Sequence, residues 1–166
     1  MYMFPPDLTA SAAALIERCR CNKLMLATAE SCTGGLIAGL ITSVSGSSDV
    51  LDCGFVTYSN GAKTRMTGVP AEIIARVGAV SAEVARAMAE GAIAHSAADV
   101  AVAVTGIAGP GGGTAAKPVG LIHCAAARRG HMTVHRELRL DDIGRDEVRL
   151  ETVRVAVEMA YEIAGP

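Results

Sequence analysis

Three stretches of this sequence carry residue types that can do chemistry at an acyl or phosphoryl centre. The first is Ala29-Glu30-Ser31-Cys32-Thr33-Gly34-Gly35, set between the apolar run Leu24 to Ala27 and the helix-like run Leu36 to Ile41. A strand-to-helix turn of this kind presents a hydroxyl or thiol nucleophile beside the N–H groups and positive dipole end of a helix, which favour an oxyanion or a phosphate. The second is Tyr58-Ser59-Asn60-Gly61-Ala62-Lys63, and the third is Thr105-Gly106-Ile107-Ala108-Gly109-Pro110. Each follows a predicted strand. If those strands are parallel, the three loops share one sheet edge, where ligands of α/β proteins gather.

Ser31 needs a base to act as a nucleophile. No histidine falls at a strand end near these loops: His95 lies late in a predicted helix and His123 inside a predicted strand. Lys63 is the available base, and it works only if burial or nearby positive charge lowers its pKa. A Ser31–Lys63 dyad therefore predicts a desolvated lysine. The plainer alternatives are a helix-capping serine and a solvated surface lysine. Cys32 competes as a nucleophile because a helix N-terminus lowers a thiol pKa; a small buried thiol is the alternative, and Ser31 ranks ahead of it. Tyr58 can donate to a substrate, orient the lysine, or pack partly in the core. Thr33, Gly34 and Gly35 can offer backbone N–H groups to an anion. Arg145 and Arg149, near the start of the last predicted helix, can reach a phosphate. For Arg149 an exposed ion pair with Glu147 or Glu151 is the favoured reading.

Several familiar chemistries are absent from the pattern. There is no GxxxxGK[ST] phosphate loop, no GxSxG elbow, and no GxGxxG fingerprint; Gly106 to Gly113 instead reads Gly-x-x-Gly-x-Gly. The five cysteines and four histidines show no metal-ligand spacing and are read as small buried thiols and surface imidazoles, with no metal or cofactor. Aromatics make up 3% of the chain, tryptophan is missing and the net charge is −2, which argues against direct nucleic-acid binding. No apolar run approaches a membrane span, and Met1 to Asp7 lacks the pattern of a leader, so a reducing cytoplasm with free thiols is expected.

The elements that must position these residues follow from periodicity. A first helix, capped by Asp7 or Thr9, carries Leu8, Ala12, Leu15, Ile16 and Cys19 on one face. Strands are expected at Leu24–Thr28, Val50–Ser59, Val100–Thr105 and Val119–Ala127, with an edge strand at Thr133–Leu140. Helices are expected at Thr33–Ser43, around Lys63 and Met66, at Ala71–Val77 behind Pro70, after Ser81 as N-cap, and from Arg145 to Gly165. The tight turn Arg129-Gly130 requires an antiparallel pair. With no linker or repeat, the 166 residues read as one α/β domain, a three-layer sandwich around a mixed sheet. The last two strands could pair with another chain to make a homodimer.

Five stretches occur together in order: Ala29 to Gly35; Gly54-Phe55-Val56-Thr57-Tyr58-Ser59-Asn60 with Lys63; Gly78-Ala79-Val80-Ser81; Thr105 to Pro110; and Lys117-Pro118-Val119-Gly120. In this the chain resembles the CinA C-terminal domain family, whose members include the bacterial nicotinamide-nucleotide amidase. The likeness runs from about Leu24 to the last helix. It implies an α/β/α sandwich around a mixed, mostly parallel sheet, and hydrolysis of nicotinamide mononucleotide (NMN) to nicotinate mononucleotide and ammonia without a cofactor. It implies Ser31 as nucleophile and Lys63 as base, backbone groups of Thr33, Gly34 and Gly35 or of Thr105 and Gly106 at the oxyanion, and Arg145 at the phosphate; beside these, Tyr58 is taken as a catalytic candidate and Glu30 as a substrate-binding one. Many relatives carry a larger N-terminal domain, so this chain is expected to be a stand-alone form. Many also carry an acidic residue where this chain has Gly111. The alternative is a non-catalytic nucleotide-binding module of the competence/damage-inducible type.

Overall fold

The computed structural model describes residues 3–166; Met1 and Tyr2, part of the stretch inspected for a leader, lie outside the described residues. Helix α1 (Pro6–Cys21) leads into strand β1 (Leu26–Glu30), α2 (Leu36–Thr42) and β2 (Leu51–Val56). Helices α3 (Asn60–Thr67), α4 (Ala71–Val77) and α5 (Ala82–Ala94) follow. Strands β3 (Val100–Gly106), β4 (Leu121–Arg128) and β5 (Val134–Arg139) and the long helix α6 (Arg145–Ile163) complete the chain.

The five strands form one sheet in the order β2-β1-β3-β4-β5. β1 pairs parallel with both β2 and β3, while β4 is antiparallel to β3 and to β5. Four strands thus run one way and β4 alone runs back. The short Arg129-Gly130 connection accounts for the β4–β5 reversal, and the glycine-rich segment 107–120 supplies the other.

Alternation along the central strands divides the core. Val100, Val102 and Val104 of β3, with Ile122, Cys124 and Ala126 of β4, pack in one cluster with α1, α2 and α6. Ala101, Ala103, Ala125 and Ala127 face the opposite cluster around α5. Period-2 side-chain direction puts branched residues on one face and alanines on the other. The alanine face meets a helix that is itself lined by Ala85, Ala89 and Ala92, all fully buried. The α1 face holds Leu8, Ala12, Leu15, Ile16 and Cys19, as its spacing predicts. Each such side chain contributes about 1.5–3 kcal/mol when it is a buried valine, leucine or isoleucine.

Some expected boundaries move. Helix α1 is capped by neither Asp7 nor Thr9: Pro5 is the N-cap, Pro6 opens the helix with its φ already set, and Asp7 lies in the first turn. Strand β1 starts and ends two residues later than expected, because Ala29 and Glu30 are paired on both sides, with Phe55 and Val56 and with Ala103 and Val104. Helix α2 starts at Leu36, not Thr33, since Gly34 (φ +62°) and Gly35 (φ +102°) turn the chain through the left-handed region first. The histidines are not all at the surface. His123 is buried, and its Nδ1 lies 2.9 Å from Nε2 of the stacked His135; burial lowers the pKa of both. Among the described residues, no helix is long and apolar enough to cross a membrane.

Candidate active site

Because β1, β2 and β3 are parallel neighbours, the loops after their carboxyl ends meet at one edge of the sheet, and a pocket of about 280 Å³ opens there. Ser31 and Cys32 line it from the β1 loop, Tyr58 and Lys63 from the β2 loop and α3, and Thr105 and Gly106 from the end of β3. Arg145, the first residue of α6, closes one side, and Ala79 and Val80 form another wall.

At its floor Lys63 Nζ lies 2.9 Å from Ser31 Oγ. Nζ also donates to the Thr57 carbonyl at 2.7 Å. The lysine is only 1% exposed, and burial pulls its pKa below the ordinary lysine value. Local sequence sets this position. Ser59 caps α3 by accepting from the Ala62 N–H at 3.1 Å, which places Lys63 in the first turn, directed back at the end of β2. The partner that orients the lysine is therefore the Thr57 carbonyl and not Tyr58. A backbone acceptor leaves no sequence signal beyond its spacing.

Glu30 does different work from substrate binding. Its fully buried carboxylate accepts from Thr33 Oγ1 (2.6 Å) and from the N–H groups of Gly35 (3.1 Å), Ile37 (3.0 Å) and Ala38 (2.9 Å). It occupies the N-terminus of α2, the anion site that the turn offers. Gly34 N–H donates to the Ser31 carbonyl at 3.0 Å. The donors of Gly34 and Gly35 are thus already engaged, and Glu30, Thr33, Gly34 and Gly35 do not line the pocket. They hold Ser31 in place from behind. A carboxylate at a strand end followed by two glycines was the signal for this internal cap.

Thr105 lines the pocket, with its hydroxyl donating to the Ala79 carbonyl at 2.9 Å. Gly106 has to be glycine for packing, since a Cβ there would stand 2.2 Å from Ile122 Cδ1. Tyr58 is 62% exposed at the rim, and its hydroxyl accepts from Arg145 Nη2 at 3.2 Å. Arg145 Nη1 donates to the Gly109 carbonyl at 2.6 Å, so this guanidinium bridges two sides of the mouth. Gly111 is at the pocket wall with open space around its Cα.

Arg149 contradicts its expected role as a simple surface ion pair. It sits four residues after Arg145, one turn along α6, and its Nε and Nη2 donate to the carbonyls of Cys32 (3.2 Å) and Thr33 (3.1 Å). Its contact with a carboxylate is a longer one, 3.8 Å to Asp146. The i, i+4 spacing of the two arginines puts them on one helix face. Cys32 is buried, and burial pushes its thiol up to about 12, so it is protonated at neutral pH and a poor nucleophile. Among the described residues no cluster of three or more histidine, cysteine or acidic side chains is placed to hold a metal ion.

The arrangement is a serine hydroxyl bonded to a desolvated lysine amine, at the floor of a pocket with a guanidinium at its rim. Such a pair can carry acyl transfer, the amine taking the serine proton as the hydroxyl attacks.

Comparison with known proteins agrees with the motif series. The family model described as CinA C-terminal domain matches residues 8–164. A CinA-like protein of Akkermansia muciniphila is 54% identical over 132 residues, covering 80% of this chain and 32% of its own length. Another, of Citrifermentans bemidjiense, is matched over 37% of its length, so the chain spans about a third of these curated relatives. The crystal structure of the competence/damage inducible protein CihA from Agrobacterium tumefaciens superposes with a TM-score of 0.97 at 53% identity, covering 99% of this chain and 100% of that one.

Proposed function

The chain belongs to the CinA C-terminal domain family, and from that premise we propose that it is a nicotinamide-nucleotide amidase, converting NMN to nicotinate mononucleotide and ammonia. The observation that carries the reading is the 2.9 Å contact between Lys63 Nζ and Ser31 Oγ on a buried lysine. The nicotinamide-nucleotide substrate comes from the resemblance of the five motifs to the amidases of this family.

With Lys63 neutral, one of its N–H bonds goes to the Thr57 carbonyl and its lone pair faces the Ser31 hydroxyl. Ser31 Oγ attacks the carboxamide carbon while its proton passes to Nζ. The tetrahedral intermediate collapses, the C–N bond breaks, and Lys63 returns the proton to the departing nitrogen, which leaves as ammonia. Water, deprotonated by the again neutral lysine, attacks the Ser31 ester; the acyl C–Oγ bond breaks, Lys63 returns the proton to Ser31 Oγ, and nicotinate mononucleotide leaves as the carboxylate. Arg145 at the rim is the cation suited to the nucleotide phosphate. It would exchange its bonds to Gly109 and Tyr58 for that contact.

The test is incubation of the purified protein with NMN, with ammonia and nicotinate mononucleotide as readouts. Stoichiometric release of both is expected. Saturable NMN binding by folded protein without release of ammonia would overturn the amidase in favour of a binding module.

A further inference from the structure

Two of the five motif stretches, Gly78-Ala79-Val80-Ser81 and Lys117-Pro118-Val119-Gly120, take no part in the proton transfers. One side chain joins them. Lys117 Nζ donates to the carbonyls of Val77 (2.6 Å) and Val80 (2.7 Å). Between these, the Gly78 carbonyl accepts from Ser81 Oγ at 3.0 Å and the Ala79 carbonyl from Thr105 Oγ1 at 2.9 Å. Four consecutive carbonyls are therefore each held by a side chain, in a segment whose Ala79 and Val80 line the pocket.

Gly78 has a φ of +80°, and a Cβ there would lie 2.9 Å from Lys117 Nζ, so the ammonium occupies the room that a side chain would take. Val77 ends α4, where a cation is favoured by the helix dipole. The other end of the link is equally tied down. Thr114 accepts the Lys117 N–H on its hydroxyl at 3.0 Å and donates its own N–H to the Lys117 carbonyl at 2.8 Å. Gly120 N–H donates to the Ile107 carbonyl at 2.8 Å. The lysine thus joins the glycine-rich segment 107–120, which walls one side of the pocket, to the 77–80 segment, which walls another.

We infer that Lys117 is a positioning residue that sets the pocket width by locking segment 77–80 against the glycine-rich segment. It touches neither Ser31 nor Lys63, so it governs how well the ligand is held and leaves the dyad unchanged. The inference rests on the reading of the pocket as the NMN site.

The experiment compares wild type, Lys117→Met and Lys117→Arg. For Lys117→Met, KM for NMN should rise about tenfold or more with kcat within about threefold, and Lys117→Arg should restore most of the KM. Hydrogen exchange at residues 78–81 should speed up in Lys117→Met, with the amides of α2 unaffected. Unchanged KM, or a fall in kcat at constant KM, would overturn the inference. If Lys117→Met does not fold, Lys117→Gln is judged by the same KM criterion. If wild type itself releases no ammonia, the amidase reading fails, and the exchange result alone decides whether the lock exists.

Discussion

Lys63 Nζ, on a side chain that solvent barely reaches, lies 2.9 Å from Ser31 Oγ across 32 residues of sequence. β1 and β2 lie side by side and parallel, so the loop after one carries the serine and the helix after the other returns the lysine to it. The pair can be probed one member at a time.

Replacing Ser31 by alanine removes the atom that attacks. The Ser31→Ala variant should lose roughly 10³-fold or more in kcat for NMN while keeping a melting temperature close to wild type. Steady-state ammonia release checks this, and full activity in the variant would exclude Ser31 as nucleophile.

Lys63 sets the pH dependence. Its pKa in the folded protein is lowered by burial from the ordinary value of 10.5, so kcat/KM should rise with pH through an apparent pKa below that value and then level off. The stability effect has a defined sign. Between the folded and unfolded pKa values the unfolded chain holds more protons, so the lysine's contribution to stability improves as pH rises through that window. Below it, the full cost of burying an ammonium is carried. Lys63→Met should therefore be inactive but more thermostable than wild type near neutrality, with the advantage shrinking toward pH 10.5. Thermal melts across pH would show this, and an advantage that grew with pH would contradict it.

Glu30 accepts four hydrogen bonds in a fully buried position. Glu30→Ala leaves these donors without an acceptor and uncaps α2, which should cost about 3 kcal/mol or more. Since Ser31 is the next residue, kcat should fall as well. Denaturant unfolding measures the first effect; a loss under about 1 kcal/mol would mean that water or a rearranged turn replaces the carboxylate.

Cys32 lies beside Ser31, but its thiol is pushed up to about 12 by burial. Cys32→Ser should retain kcat within about threefold, and the wild-type thiol should resist alkylation at neutral pH. Inactivation by a thiol reagent, prevented in Cys32→Ser, would restore the cysteine as a candidate nucleophile.

Much of this was determined by sequence alone. The helical spacing of Leu8, Ala12, Leu15, Ile16 and Cys19 identifies the buried face of α1, and Ser81 and Pro70 mark the starts of their helices, because these signals act within a few residues. The apolar runs locate β1, β3 and β4 with errors of about two residues; Ser31 comes from the stretch after β1, Lys63 from the stretch after β2, and Arg145 from the start of the last predicted helix. The tertiary structure decided which atoms those residues meet. Glu30 reads locally as a site residue; only the folded turn shows its carboxylate bound to the start of α2. Arg149 reads as a surface ion pair until α6 carries it to the carbonyls of Cys32 and Thr33, and Lys117 stands only within a motif until the fold brings the Val77 and Val80 carbonyls to it. The Thr57 carbonyl is a backbone atom, which no residue type announces. In each case main-chain groups, common to every residue, are among the deciding partners, and for Arg149 and Lys117 those groups also lie far away in the chain. Spacing can place a side chain at a sheet edge, but packing decides which of those backbone groups it reaches.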